Sequence, residues 1–141
     1  MKKLLIISNL PSNNTKILLN QVKKGAKSIN SENLEIISSN AVDISYETIK
    51  ESSAIILGTT ENLGYMSGIM KDFFDRNYNQ CLNQTNGLPY ALYIRAGHDG
   101  TGTELNMKRI ITGLKWKEIQ TPLILKGAWT VSYTHLRAHE T

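Results

Sequence analysis

Cysteine is almost missing: Cys81 is the single cysteine in 141 residues. An internal disulfide is therefore excluded, and so is a cysteine metal cluster. Its place near the end of an apolar-striped segment marks it as a packed residue. Long hydrophobic runs are missing too, and no segment reaches membrane-spanning length. The N-terminal Met1-Lys2-Lys3 leads into an apolar core of only Leu4, Leu5, Ile6 and Ile7. That is too short for a signal peptide, and no small-residue cleavage site follows. A cytoplasmic protein with no membrane partner is the expectation. Dense Lys/Arg runs and aromatic–basic interleaving are lacking, which argues against a nucleic-acid partner. The net charge of +4 reads as a basic surface, with attraction to anionic ligands such as nucleotides as the sharper alternative. Two phosphate-binding signatures are also absent. The loop after the first apolar run is neither a Walker Gly-Lys-Ser/Thr loop nor a Gly-x-Gly-x-x-Gly turn. The length suits one domain with a real core, and no repeat, linker or low-complexity segment divides it.

What is present is an alternation of short apolar runs, polar loops and helical stripes, organised around residues 54–76. Ala54, Ile55, Ile56 and Leu57 read as a strand that breaks at Gly58 into a polar loop, residues 59–64. A helix follows, with Met66, Ile69, Met70, Phe73 and Phe74 at the spacing of a buried stripe. Lys71 with Asp75, and Asp72 with Arg76, can pair on its outer face. The loop leaves the carboxyl end of a strand, where open α/β sheets bind their ligands.

The rest of the chain repeats that plan. Residues 4–7 read as a strand buried on both faces. Residues 8–15 supply turn residues and hydroxyls, and a helix with Leu18, Val22, Ala26 and Ile29 on one side follows, capped by Asn14 or Thr15. A polar loop at a helix N-terminus is a ready anion site, although by themselves these residues equally make a turn and a cap. A short edge strand is expected over 34–38, a brief helix over 44–52 and a fourth strand over 89–95. The third polar loop, 96–102, carries Gly97, Gly100 and Gly102, which permit close backbone approach to a planar ligand. His98 and Asp99 are adjacent, which is no metal-ligand set, so they read as a turn. Glu61 has no carboxylate or histidine near it in sequence and reads as a loop residue, not as an acid or base. Tyr65 can stack on a ligand ring or pack on the core; spacing does not separate the two. A helix over 103–114 has Leu105, Met107, Ile110, Ile111 and Leu114 as its apolar residues. The fifth strand lies within 116–126, around Leu123, Ile124 and Leu125, and Trp116 and Trp129 read as packing residues. Strands alternating with helices predict an α/β fold, a parallel sheet covered on both faces. Periodicity does not give the strand order.

The run Gly-Thr-Thr-Glu-Asn-Leu-Gly-Tyr-Met-Ser-Gly-Ile-Met-Lys-Asp-Phe-Phe-Asp-Arg, residues 58–76, closely resembles the second flavin loop and third helix of flavodoxin-like proteins. Within that family it is most similar to the branch that includes NAD(P)H-dependent FMN reductases. Ser12, Asn14 and Thr15 fall on the family's phosphate loop, which wraps the FMN phosphate without a lysine. Asn13 stands where a glycine is common, and Asn tolerates the left-handed conformation. Leu10 departs from the usual hydroxyl residue. The resemblance covers residues 1–130 and implies a three-layer, doubly wound, five-stranded parallel sheet in the flavodoxin order 2-1-3-4-5. It implies FMN held at three places. The phosphate would lie at Ser12, Asn14 and Thr15. The ring would lie at Thr60, Glu61, Asn62, Leu63, Gly64 and Tyr65, with Tyr65 stacking on it. The ring's other edge would meet Ala96, Gly97, His98, Asp99, Gly100 and Gly102. No catalytic side chain and no metal are implied, because the flavin carries the chemistry.

Two functions follow from the resemblance. One is an enzyme in which NADPH or NADH reduces FMN by hydride transfer and the flavin passes electrons to a small acceptor such as a quinone or free flavin. The other is a flavodoxin-type one-electron carrier that docks on redox proteins. Carriers of the family are typically acidic and this chain is basic, which favours the enzyme. A flavin-binding module without turnover is a third reading, and a homodimer stays open. The family follows its fifth strand with a fifth helix. Here Val131, Tyr133, Leu136 and Ala138 line no helical face, and His135 and His139 mark a composition shift. The expectation is a truncated last helix, with residues 131–141 an atypical, non-native tail.

Overall fold

The computed structural model describes residues 2–28 and 32–126. Strand β1 (Lys2–Ser8) carries Leu5, Ile6 and Ile7, all with no exposed surface, as a run buried on both faces requires. Helix α1 (Asn13–Lys27) is capped by Ser12 and not by the expected Asn14 or Thr15, which lie inside its first turn. The Ser12 hydroxyl accepts from the Thr15 N–H while the Thr15 hydroxyl oxygen accepts from the Ser12 N–H, a reciprocal cap. Strand β2 (Leu34–Asn40), the short helix α2 (Tyr46–Glu51) and strand β3 (Ala54–Asn62) follow. The chain then turns back through β4 (Tyr65–Met66) into α3 (Gly68–Cys81). Strand β5 (Pro89–Ala96), helix α4 (Thr101–Leu114) and the two short strands β6 (Lys117–Glu118) and β7 (Leu123–Lys126) complete the described chain.

The sheet runs β2-β1-β3-β5, with β6 and β7 both pairing to β5 on its far side. All these pairs are parallel, and the order is the one the resemblance implies. β1 is the switch point, since the chain steps first to β2 on one side and then to β3 on the other. Against one face pack α2, α3 and α4, in a cluster that includes Leu5, Ile7, Leu57, Phe73, Met107 and Trp116. Against the other packs α1, with Ile6, Leu18, Val22, Ile56 and Tyr93. On that second face Leu4, Ala91, Leu123 and Leu125 are only partly buried. Ile29, Trp129 and residues 131–141 lie outside the described residues.

Further expectations change. The strand does not break at Gly58. β3 pairs with β5 as far as Thr60, and residues 59–62 are strand. The expected loop is the rest of a β-hairpin whose tip, Leu63 and Gly64, has both φ angles positive (53° and 77°), the conformation a two-residue hairpin turn needs. Met66 belongs to β4, so α3 begins at Gly68 and Ile69 is exposed, not part of the buried stripe. Leu105 on α4 is likewise exposed. Other details agree. Lys71–Asp75 (2.6 Å) and Arg76–Asp72 (2.7 Å) pair on α3, Cys81 is buried, and Trp116 is buried with its indole N–H donating to Thr85 Oγ1 at 2.8 Å. Among the described residues no helix is long and apolar enough to cross a membrane.

Candidate functional site: a cleft between three loops

Three connections leave the carboxyl ends of adjacent strands: residues 9–12 after β1, the β3–β4 hairpin, and residues 97–100 after β5. They enclose a cleft of about 300 Å³ lined by Pro11, Ser12, Asn14 and Thr15 from the first, Thr60 and Glu61 from the second, and Arg95, Ala96 and Gly97 from the third. A larger cavity of about 570 Å³ lies elsewhere and is bordered by Leu4, Ile56, Ala91 and Leu123. It also carries Lys2, Lys3, Ser53, Gln120 and Thr121, and it lies at the amino ends of β1, β2 and β3, the opposite end of the sheet from the one where open α/β folds bind ligands. The smaller cleft holds the hydroxyls, amides and helix N-terminus, so it is the better candidate.

The first and second walls are tied together. Buried Asn9 donates from Nδ2 to Thr60 Oγ1 (3.2 Å), and the Thr60 N–H donates to Asn9 Oδ1 (3.2 Å). The Asn9 N–H reaches the Gly58 carbonyl at 3.3 Å. The second and third walls are tied as well. The Glu61 carboxylate accepts from the His98 N–H (2.7 Å) and the Gly100 N–H (3.1 Å). Exposed Asp99 turns back on its own loop, where its carboxylate accepts from the Thr101 N–H at 3.0 Å; that bond holds its pKa below the usual carboxylate range. Arg95 donates to the Ala96 and Leu125 carbonyls at 2.9 and 3.1 Å, so it bridges β5 and β7. The Ser8 hydroxyl, at the end of β1 below the first loop, is buried with no hydrogen-bond partner.

The structure thus brings Ser12, Asn14, Thr15, Thr60, Glu61, Ala96 and Gly97 to one cleft. Asn62, Leu63 and Gly64 form the hairpin end, with Leu63 fully exposed. Tyr65 packs against the α3–α4 cluster and does not line the cleft. His98 and Asp99 are exposed. A Cβ on Gly97 would meet nothing within 4 Å, but the other two glycines of the third loop approach protein. A Cβ on Gly100, whose φ is +74°, would meet Ile124 at 2.7 Å, and one on Gly102 would meet the Gly64 carbonyl oxygen at 2.5 Å. Asn9, Pro11 and Arg95 were not legible as site residues. Asn9 stood in the polar run after β1, but its partner is fifty-one positions away.

This arrangement defines an open α/β sheet protein with a candidate ligand cleft at the switch point. No family model matches the chain. Over 114 residues it is 27% identical to a flavodoxin of Aquifex aeolicus (strain VF5), a match that takes in 81% of this chain and 60% of that protein. The chain therefore spans less than two thirds of that relative's length. Among solved structures it is similar to a flavodoxin from the domain Archaea, with a TM-score of 0.78 at 19% identity, covering 98% of this chain and 92% of that one. It is also similar to rubredoxin oxygen:oxidoreductase from Desulfovibrio gigas, with a TM-score of 0.80 at 12% identity, covering 99% of this chain and 34% of that one. The chain has the flavodoxin-like fold.

Proposed function

We propose that the chain binds FMN in the cleft and works as a cytoplasmic one-electron carrier between redox proteins. The observation that carries this reading is the convergence of Ser12, Asn14 and Thr15 with Thr60, Glu61, Ala96 and Gly97 on one cleft. The donor set fits the group. Ser12 and Asn14 offer hydroxyl and amide donors at the positive end of α1, beside Thr15, whose own hydroxyl donates to the Ser12 carbonyl at 2.7 Å; an anion there gains about 0.3–1 kcal/mol when exposed and up to about 2 when partly buried. The buried, unpartnered Ser8 hydroxyl adds a polar group beneath that loop. Thr60 with Glu61, and Ala96 with Gly97, give two walls from different strands against which a planar ring can lie. Bound FMN would supply the electron chemistry, and the chain's residues would hold its phosphate, orient its ring and exclude water from one side. The flavodoxin matches support the carrier over the enzyme.

A second reading keeps NADPH or NADH as reductant and a quinone or free flavin as acceptor, with homodimerisation open. It is favoured by the net charge of +4, which attracts anionic nucleotides, and by the likeness of residues 58–76 to FMN reductases. Calorimetric titration with FMN and riboflavin tests the site. FMN should bind saturably and riboflavin more weakly. No binding by folded protein refutes the cleft, and equal affinities refute the phosphate assignment. Anaerobic titration then separates the functions. Bleaching by dithionite but not by NADH or NADPH supports the carrier, and rapid bleaching by a nicotinamide supports the enzyme.

A further inference from the structure

Glu61 lines the cleft, yet its carboxylate is already engaged. It takes the amides of His98 and Gly100, at 2.7 and 3.1 Å. These two amides stand at the entrance to α4, whose N-cap residue is Gly100 and therefore has no side chain to satisfy the helix's first donors. A carboxylate there makes charge-assisted bonds and faces the positive end of a helix. The pairing also shows what this amide pair can donate to, namely two neighbouring acceptor atoms roughly in one plane. The pyrimidine edge of a flavin presents such a row, a carbonyl oxygen beside a ring nitrogen. We propose that Glu61 is an internal competitor of the ligand: its carboxylate holds the His98 and Gly100 amides in the free protein and must release them to the flavin.

This inference rests on the proposed flavin site and names the group that sets its affinity. The exchange is a side-chain motion. The strand carrying Glu61 is held on one side by the Asn9–Thr60 bonds, and the hairpin tip is held on the other by the close approach of Gly64 to Gly102. Glu61 itself is half-buried at the cleft wall, so a released carboxylate can turn to water. The free protein is thus kept closed by a contact that binding has to break, and its apparent affinity is lowered accordingly.

The test measures FMN and riboflavin affinity for the full chain and for Glu61→Gln and Glu61→Ala, with amide hydrogen exchange at His98 and Gly100. Glu61→Gln keeps the side chain's length and one acceptor oxygen, so it decides the matter even where Glu61→Ala loosens the loop. The glutamine variant should bind FMN about fivefold more tightly, the equivalent of one net hydrogen bond. Riboflavin should gain by the same factor, because the latch faces the ring and not the phosphate. In free Glu61→Ala both amides should exchange faster and regain protection when FMN is added. Unchanged or weaker FMN binding by Glu61→Gln, with the unsubstituted protein binding normally, would overturn the inference and leave Glu61 a strut. Failure of all three proteins to bind either flavin would instead remove the site itself, and the inference with it.

Discussion

A methyl group at Gly58 should be costly. A Cβ there would lie 2.0 Å from Cζ of Tyr93, 2.3 Å from its hydroxyl oxygen and 2.4 Å from Cε1. Ordinary carbon contacts sit at about 3.5–4.0 Å, so the ring would have to move by roughly 1.5 Å. Tyr93 is the register partner of Gly58 on β5 and is 4% exposed. It packs with Ile6, Leu18, Val22 and Ile56 under α1, and the void beside it, about 10 Å³, is too small to take the ring. Overpacking of this kind costs about 1–3 kcal/mol. Replacing a strand glycine by alanine recovers roughly 0.5–1 kcal/mol of that through the unfolded chain. The net expectation for Gly58→Ala is a loss of about 1–2 kcal/mol, or roughly 3–6 °C in Tm. Urea unfolding followed by circular dichroism measures it, and a double-mutant cycle isolates the cause. In a Tyr93→Leu background the far end of the ring is gone, and Gly58→Ala should cost little. Equal costs in both backgrounds, or no cost in either, would refute the steric argument.

Asn9→Ala strips both bonds to Thr60 and takes away the acceptor of the Thr60 N–H; a stability loss of about 1–3 kcal/mol is expected, with FMN and riboflavin affinities falling together, as denaturation and titration would show. Burial pushes the Cys81 thiol up from 9.0 to about 11. The folded protein should resist thiol reagents until it unfolds. As pH rises from 9.0 towards about 11, the unfolded chain gives up a proton that the folded chain keeps, so stability should fall across that window. Urea midpoints at about pH 8 and about pH 10.5 should show a smaller drop in Cys81→Ala than in the unsubstituted protein. The half-buried Leu4, Ala91 and Leu123 border the 570 Å³ cavity on the α1 face. An amphipathic helix fused after residue 141 to cover them should raise Tm and lower self-association by ultracentrifugation; no gain in an already monomeric protein would show that this face needs no added cover.

The strands β1, β2 and β5 and the helices α1 and α4 were legible because apolar periodicity and turn residues are local signals. β3 was misjudged at Gly58 because Gly-Thr-Thr reads as a loop in isolation. Pairing with β5, and the room Gly58 leaves for Tyr93, keep it a strand. The α3 stripe was misjudged at one residue: Met66, Met70, Phe73 and Phe74 are buried as expected, and Ile69 is exposed. Counting from Met66 put Ile69 inside; with Met66 on β4, the buried set is Met70, Phe73, Phe74, Asn77 and Cys81. In the site, the hydroxyls of the first loop were legible from their place before a helix. The partners of Glu61 were not, since His98 and Gly100 lie far along the chain and offer backbone amides, which any residue but proline has.

The two edges of the sheet are unlike, and this bears on how the protein can aggregate. At one edge β2 runs unbroken for seven residues and pairs with β1 alone among the described strands. At the other, β5 has two fragments for a neighbour, of two and four residues, separated by Ile119, Gln120, Thr121 and Pro122. A foreign strand laid along that edge would meet a gap, a proline with no N–H to give, and lysines at positions 117 and 126. Strand addition is therefore discouraged at β6 and β7 and left open at β2. In fibres grown under mildly destabilising conditions, the amides of residues 34–40 should become protected first, while those of residues 123–126 keep exchanging.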